Sequence, residues 1–393
     1  MLLASVQRND LNTGDVVTAY TGREQTEAKH FILRHYLQAL AFKVLHGWDL
    51  TYVDGFSGPW ESRTDDFSDS SFMIAIAVLK DAQQRIFQQT GVKRRIRCFF
   101  SENSPEAFRQ LQAAVAPHHR PSDAFEVKTY PGDFEDAVAE IKAFVGRSFP
   151  LIFIDPTGWT GYPFEKIKPL FEPPKCEVLI NFMYAFVSRF VASQDESTVA
   201  SLDKILGGPG WRDRLDNSLP LGLAVEKLFR GTLQQAGGFG YVVSTKIDKS
   251  TEERPHFFIA YGTKSRDGLK AFRDTEYAAL REHARNRANA KERKRTSRTG
   301  TDDLFAGMDA DVQEANIDEV VHDHKKLAAE RLMKVLSKGP RSFQSVVDDL
   351  LQAFMLRETN VKDICCELAR AGKIANTWGS GNRKPQDATI IRS

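Results

Sequence analysis

The sequence predicts an α/β protein with a seven-stranded, mostly parallel sheet that ends in an antiparallel hairpin, followed by a small C-terminal α+β domain. Five short β-rich segments alternate with helical patterns, and this alternation favours a parallel sheet covered by helices on both faces. A further helix and two strand-like segments joined by a polar turn predict the terminal hairpin. The length of 393 residues suits two or three domains.

The predicted strands are short apolar runs bounded by turn residues, and two of them, LIFID and VLINF, have the near-continuous apolar character of central strands. The predicted strands cover 50–54, 96–102, 125–130, 150–155, 176–182, 237–248 and 255–264. The predicted helices cover 27–45, 71–89, 104–116, 134–145, 163–170, 184–194, 222–236 and 266–298. This order resembles the Rossmann-like seven-stranded sheet of S-adenosylmethionine-dependent methyltransferases.

Charge divides the second half of the chain. Residues 281–300 carry eight Lys or Arg against two Glu, whereas 301–320 carry seven acidic residues and no basic one. We therefore expect a sheet domain over 1–280, a basic helix and an acidic linker over 281–319, and a third unit over 320–393. Three helical patterns and a basic hairpin at 375–392 predict a winged helix for that unit; a small helical bundle packed on the sheet domain is the alternative.

Several classes of protein are disfavoured by what the sequence lacks. No run of about 18 apolar residues predicts a membrane span, and the first ten residues do not have the pattern of a signal peptide. The four cysteines have neither disulfide-scaffold nor zinc spacing, which favours a cytoplasmic protein without a metal site. The motifs of P-loop NTPases, GxSxG hydrolases and HExxH proteases are absent.

The first strand leads into a glycine-containing turn that could bind a ligand. The residues of this turn are Asp54, Gly55, Phe56, Ser57 and Gly58. Glycines let the backbone approach a ligand closely, and an acidic residue suits the cationic amino-acid end of S-adenosylmethionine. The turn resembles the D-x-F-x-G-x-G motif of methyltransferases that act on nucleic-acid bases, with Trp60 in place of the last glycine. An ordinary tight turn is the alternative.

The next two strands each end in an acidic residue. Glu102, followed by Asn103, is placed to accept hydrogen bonds from the ribose hydroxyls of the cofactor. In the same interpretation Asp133 accepts the adenine amino group, although it could equally cap the following helix. These residues complete the predicted cofactor site.

The fourth strand delivers Asp155 and Pro156, with Trp159 shortly after, and resembles the D-P-P-[YFW] loop of amino-methyltransferases. A carboxylate and a main-chain carbonyl can hold the hydrogens of an exocyclic amine and aim its lone pair at the sulfonium methyl group. Trp159 would stack on a base removed from its helix. Thr157 and Gly158 depart from the motif, and a purely structural turn is the alternative.

Several spaced motifs resemble the TcmP family, the three-Cys-motif partner proteins. They are KHFILRHYLQAL, YVDGFSGPW, SEN, LIFIDPTGW with LINF, and FFIAYGTKSRDGLKAF, and they span most of 25–275. The resemblance implies a methyltransferase-like fold and association with a protein that carries a three-cysteine motif.

Together these patterns predict an S-adenosylmethionine-dependent methyltransferase that acts on DNA or RNA at a base nitrogen. The basic segment 281–300 and the tail would contact phosphates. One alternative is a non-catalytic methyltransferase-like scaffold that binds nucleic acid or its partner. A nuclease is the other, if Asp54, Asp133 and Asp155 assemble in space as metal ligands.

Overall fold

The computed structural model describes residues 19–59, 62–299, 308–379, 381 and 383–393. Its first helices and strands are α1 (Glu24–Val44), β1 (Leu50–Asp54), α2 (Ser71–Thr90), β2 (Ile96–Glu102), α3 (Pro105–Val115), β3 (Phe125–Pro131), α4 (Val138–Val145), β4 (Phe149–Ile154), α5 (Phe164–Ile167) and β5 (Glu177–Phe182). The chain continues through α6 (Tyr184–Phe190), α7 (Glu196–Leu206), α8 (Leu221–Gly237), β6 (Tyr241–Asp248), β7 (Pro255–Thr263) and α9 (Arg266–Thr299). It ends with α10 (Met308–Leu336), β8 (Arg341–Ser342), α11 (Phe343–Ala353), α12 (Glu358–Arg370) and β9 (Ile390–Ile391).

Seven strands form one mostly parallel sheet in the order β3-β2-β1-β4-β5-β7-β6. Strands β1 to β5 pair in parallel, and β7 is antiparallel to both β5 and β6. The predicted α/β class and the antiparallel hairpin are therefore confirmed. Because the parallel strands share one direction, their carboxyl ends meet at a single edge of the sheet, where ligands of open α/β sheets bind.

The two faces of the sheet are buried by different helices. In β4, Leu151 and Phe153 belong to the core beneath α1 and α2, whereas Ile152 and Ile154 belong to the core beneath α4 and α8. This alternation follows from the two-residue period of a strand. It also explains why LIFID is apolar at every position before Asp155, since both of its faces are covered.

The segment after the sheet differs from the prediction of an acidic linker. Helix α10 begins at Met308, so the described part of that segment is helical, and residues 300–307 lie outside the description. The acidic side chains of α10 face the basic α9: Glu314 Oε1 lies 2.9 Å from Arg281 Nη2, and Asp318 accepts a hydrogen bond from Tyr277. Opposite charges therefore contribute to the contact between the two helices, together with buried apolar side chains such as Ala279 and Val321.

The C-terminal helices pack on the sheet domain. Arg266 Nε donates to Asp348 Oδ1 over 2.7 Å, and Arg273 Nε donates to the carbonyl of Leu351 over 2.8 Å. The two ends of the predicted hairpin at 375–392 meet, since the Ala375 amide donates to the carbonyl of Arg392 over 2.9 Å, and β9 also pairs antiparallel with β8, which precedes α11. None of the helices in the described residues combines the length and the apolar character needed to cross a membrane.

Candidate functional site

The turn after β1 is held from below by Asp54, whose carboxylate is fully buried. Its Oδ1 accepts from the Phe56 amide over 3.1 Å, and its Oδ2 accepts from Ser71 Oγ over 2.7 Å. Burial raises the pKa of Asp54 to about 6, although these hydrogen bonds favour the charged form. Asp54 thus ties the turn to the start of α2.

The same turn is packed closely against the neighbouring strand ends. A Cβ atom at Gly55 would lie 2.7 Å from the ring of Phe134, so only glycine fits there without movement. The amide of Ser57 donates to the carbonyl of Ser101 over 2.9 Å, and Ser57 Oγ donates to the carbonyl of Asp54 over 3.0 Å. These contacts fix the turn against the ends of β2 and β3.

The predicted ribose and adenine residues lie together at the ends of β2 and β3. Asn103 Nδ2 donates to Asp133 Oδ1 over 2.7 Å. Glu102 is buried, and its Oε1 accepts from the Ser104 amide over 2.7 Å. The carboxylate of Glu102 therefore also supports the chain that enters α3.

Asp155, at the end of β4, makes two polar contacts with residues distant in sequence. Lys29 Nζ of α1 lies 2.6 Å from its Oδ2, and Asn181 Nδ2 of β5 donates to its Oδ1 over 2.7 Å. The other side-chain atom of this amide, Asn181 Oδ1, is buried without a hydrogen-bond partner. Helix α1, the end of β4 and strand β5 thus bring a cation, a carboxylate and a buried acceptor together at the carboxyl edge of the sheet.

A cavity of about 460 Å³ opens at this point. Of the residues predicted for the site, Phe56, Gly58, Asp155 and Pro156 line it. The cavity is also lined by Arg23, Gln25, Thr26, Lys29, His30, Pro59, Ser62, Asp69, Ser70, Ser71, Thr157, Asn181, Met183, Phe186, His256 and Phe257.

The other predicted site residues lie outside that lining. Asp54 is beneath the turn, and Glu102, Asn103 and Asp133 lie along the neighbouring strand ends. Trp60, which replaces the last glycine of the motif, is outside the described residues.

Trp159 lies behind the cavity wall. Its Nε1 donates to Ser201 Oγ over 2.8 Å, and its ring packs against Phe190 at a centroid distance of 4.9 Å. Phe186, which does line the cavity, lies 6.3 Å from the Trp159 ring. Among the described residues, Phe56, Phe186 and Phe257 contribute phenyl rings to the cavity lining.

Helix α1 also contributes Lys29 and His30 to the cavity, and the sequence analysis assigned neither residue to the site. His30 is buried and its Nδ1 lies 2.9 Å from the Tyr20 hydroxyl. Burial and the neighbouring Lys29 ammonium hold the pKa of His30 well below its usual range, so the ring is neutral at pH 7. One sequence signal did point to α1: Lys29 and His30 begin KHFILRHYLQAL, one of the motifs that resemble the TcmP family.

The basic segment of α9 is divided between internal and exposed roles. Arg287 Nη2 lies 3.2 Å from Glu253 Oε1, and Arg293 forms an ion pair with the buried Glu24 of α1. Together with the pair of Arg281 and Glu314, these ion pairs neutralise part of the positive charge of α9 inside the fold. Lys294, Arg295 and Arg298 are exposed near the end of the helix.

Within the described residues, no group of three or more His, Cys, Asp or Glu side chains could hold a metal ion. Asp54, Asp133 and Asp155 therefore do not form the ligand cluster on which the nuclease hypothesis depends.

Comparisons with known proteins include a weak structural likeness. No protein-family model and no curated protein matches the chain. A match among solved structures is protein LPL1258 from Legionella pneumophila str. Philadelphia 1, described under the family model DUF519. It is 10% identical, the match covers 60% of this chain and 85% of that chain, and the TM-score is 0.33. At this TM-score the likeness carries no argument.

Proposed function

We propose that this protein is an S-adenosylmethionine-dependent methyltransferase that acts on nucleic acid at an amino nitrogen of a base. The observation that carries the proposal is the cavity at the carboxyl ends of β1, β4 and β5, where Asp155, Pro156 and Asn181 meet. Its volume of about 460 Å³ lies in the range of cavities that bind small molecules. The sheet order, with one antiparallel strand between β5 and β6, also agrees with the methyltransferase sheet expected from the sequence.

The polar atoms of the cavity suit an amine acceptor. Asn181 is 2% exposed, and its Oδ1 has no partner in the protein. A buried acceptor without a donor costs about 1–3 kcal/mol, so an amino group entering the cavity would remove this cost. Phe186 and Phe257 provide apolar surface against which the ring that carries the amine would stack.

The strand ends beside the cavity provide groups for the cofactor, which supplies the methyl group from its sulfonium. The tight turn at Gly55 brings the main chain of Phe56 and Gly58 to the cavity, where it would meet the methionine end. Glu102 and Asn103 would hold the ribose, and Asp133 the adenine. The carboxylate of Asp54 faces the turn instead, so its role in this proposal is to shape the turn.

Calorimetric titration with S-adenosylmethionine tests the cofactor part of the proposal. At a cofactor concentration of 100 times Kd, the bound protein gains about 2.7 kcal/mol of stability, which is measured as a thermal shift. Glu102→Ala is expected to abolish the shift, whereas Glu165→Ala, the same change at an exposed position on α5, leaves it intact. Wild-type protein that shows neither heat of binding nor a thermal shift contradicts the proposal.

Methyl transfer from labelled S-adenosylmethionine to DNA, tRNA and rRNA tests the reaction. Asp155→Asn is expected to lose transfer to the accepted substrate while it still binds the cofactor, because Asp155 lies on the acceptor side of the cavity. Loss of both activities at once would mean that Asp155 supports the cofactor site or the fold.

One observation favours a non-catalytic scaffold as the second candidate. Both carboxylate oxygens of Asp155 are engaged, one by Lys29 and one by Asn181. An amine acceptor must therefore share these oxygens with the groups already bound to them, whereas a module that only binds the three-Cys-motif protein or nucleic acid needs no contact with Asp155. Cofactor binding without transfer to any of the three nucleic acids would support the scaffold.

A further inference from the structure

The turn between β6 and β7 connects the cavity to a positively charged surface. Ser250 Oγ donates to Gln25 Oε1 over 2.6 Å, and Gln25 lines the cavity. The next residue, Thr251, lines a second surface cavity of about 520 Å³, and its Oγ1 accepts from Lys294 Nζ over 3.4 Å. Through two consecutive residues, the turn therefore contacts Gln25 of the first cavity and Lys294 of the second.

Four cations line the second cavity from one side of α9. Lys291, Lys294, Arg295 and Arg298 follow one another at helical spacing, which places them on a single face. We call these four residues the α9 cationic surface. Among the described residues, the lining of this cavity contains no carboxylate. Beyond the lining, Glu253 Oε1 lies 2.6 Å from Lys291 Nζ.

The α9 cationic surface lies beside basic residues of α9 whose ion pairs join this helix to the rest of the fold. Arg281, Arg287 and Arg293 form ion pairs that join α9 to α10, to the β6–β7 turn and to α1. Lys294, Arg295 and Arg298 are exposed beside the second cavity, where Lys294 Nζ donates to Thr251 Oγ1. A row of exposed cations that leads to a ligand cavity fits a chain of regularly spaced anions.

We infer that the α9 cationic surface binds the phosphates of a single-stranded nucleic acid whose base enters the cavity, an inference that rests on the proposed function. A base inside a duplex must leave its stack to reach such a cavity, and the cost is lowest for a strand that is already single. The β6–β7 turn lies between the two parts of this site, because Ser250 contacts Gln25 at the cavity and Thr251 contacts Lys294 of the cationic surface. The substrate class is therefore single-stranded DNA or RNA.

Fluorescence anisotropy tests the inference with fluorescein-labelled adenosine 12-mers, one of ribonucleotides and one of deoxyribonucleotides, without S-adenosylmethionine. A plot of log K, the association constant, against log salt concentration has a negative slope. Each lost phosphate contact makes this slope less steep by about 0.7 for single strands. Lys294→Gln with Arg298→Gln should therefore make it less steep by about 1.4. The loss of affinity between 50 and 200 mM salt should become about sevenfold smaller. An unchanged slope overturns the inference, and the two 12-mers show whether RNA or DNA is preferred.

A matched control lies at the opposite edge of the sheet. Arg95 and Arg147 line a cavity near the amino ends of the strands, together with Arg94 and Arg97. Arg95→Gln with Arg147→Gln removes the same charge and should leave the slope unchanged. An equal effect of both double variants would show that only net charge matters and would overturn the inference. Polyglutamate that competes as strongly as the 12-mers would assign the surface to an acidic protein instead.

A 12-mer with one central 2-aminopurine tests whether a base enters the cavity. Its fluorescence should rise when the wild type binds, because the base leaves its stacked neighbours. Thr157→Trp, at the exposed rim, should suppress this rise while anisotropy still reports binding. A rise that persists in Thr157→Trp overturns the placement of the base.

Calorimetry with S-adenosylmethionine on the same preparations distinguishes failure of this inference from failure of the proposed function. Protein that binds the cofactor but neither 12-mer overturns the inference alone. Protein that binds the 12-mers through the α9 cationic surface but not the cofactor overturns the proposed methyltransferase and keeps the surface as a phosphate site.

Discussion

Lys29 Nζ lies 2.6 Å from Asp155 Oδ2, which joins the first helix to the end of the fourth strand at the cavity. The two side chains are only 13% and 12% exposed, so water screens the pair weakly. Asn181 holds the second oxygen of the same carboxylate. This ion pair therefore adds a polar contact to the packing of α1 over the sheet edge and neutralises the Asp155 carboxylate at the cavity.

Lys29→Met should lower the free energy of unfolding by about 3 kcal/mol, because it leaves a mostly buried carboxylate without its cation. Urea unfolding measures this change. The double variant Lys29→Met with Asp155→Asn should recover most of the loss, since the unpaired charge is then gone. Additive losses from the two single changes would show that the two side chains are not energetically coupled.

The buried Asp54 predicts a specific pH dependence of stability. Its pKa is raised to about 6 in the folded protein, whereas an exposed Asp titrates near 4. Between these values the folded chain keeps a proton that the unfolded chain has released, so stability falls as pH rises through this window. The full penalty, of about 3 kcal/mol, is reached above pH 6.

Asp54→Asn removes this titration and keeps a side-chain acceptor for the Phe56 amide. The difference in unfolding free energy between the variant and the wild type should therefore move in favour of the variant from pH 4 to 6 and then stay constant. Urea unfolding at pH 4, 5, 6 and 7 measures it. Parallel curves over the whole range would show that Asp54 has an ordinary pKa in the folded protein.

Much of the sheet could be predicted because its strands carry local signals. LIFID and VLINF are apolar at nearly every position, and both are buried central strands, β4 and β5. The acidic segment after α9 gave no such signal, because α10 is held there partly by charges on another helix. Glu314 contacts Arg281, and no pattern within the acidic segment indicates that partner.

The candidate site could be predicted only in part, for a related reason. Asp155 and Pro156 directly follow a recognisable strand, and the structure places both at the cavity. Lys29 reaches the same place from a helix that is distant in sequence, and the contact depends on how α1 crosses the sheet. Trp159 was placed by motif resemblance, but its indole finds a hydrogen-bond partner in α7, a helix that the sequence pattern did not indicate.

Gly55→Ala should destabilise the protein by about 1–3 kcal/mol, because the added methyl group would lie 2.7 Å from the Phe134 ring. Gly158→Ala is the matched control, since a Cβ atom there would meet nothing within 4 Å. Thermal unfolding of both variants measures the difference. Adding Phe134→Leu to Gly55→Ala should restore part of the loss; no restoration would mean that the strain arises from another contact.

Trp159→Phe should cost about 1 kcal/mol of stability and leave methyl transfer unchanged, because it removes the hydrogen bond to Ser201 but no part of the cavity lining. Ser201→Ala should cost a similar amount, and the two changes together should cost little more than either alone. Urea unfolding measures all three.

Phe186→Ala should instead weaken binding of the nucleic-acid substrate, because this ring lines the cavity. A base stacked on an aromatic side chain gains about 1–3 kcal/mol, so the KM for the substrate should rise roughly 10- to 100-fold. Cofactor affinity, measured by calorimetry, should not change. If Trp159→Phe lost transfer at unchanged stability while Phe186→Ala kept it, the indole would be the stacking group, and the loop after β4 would have to turn toward the cavity during the reaction.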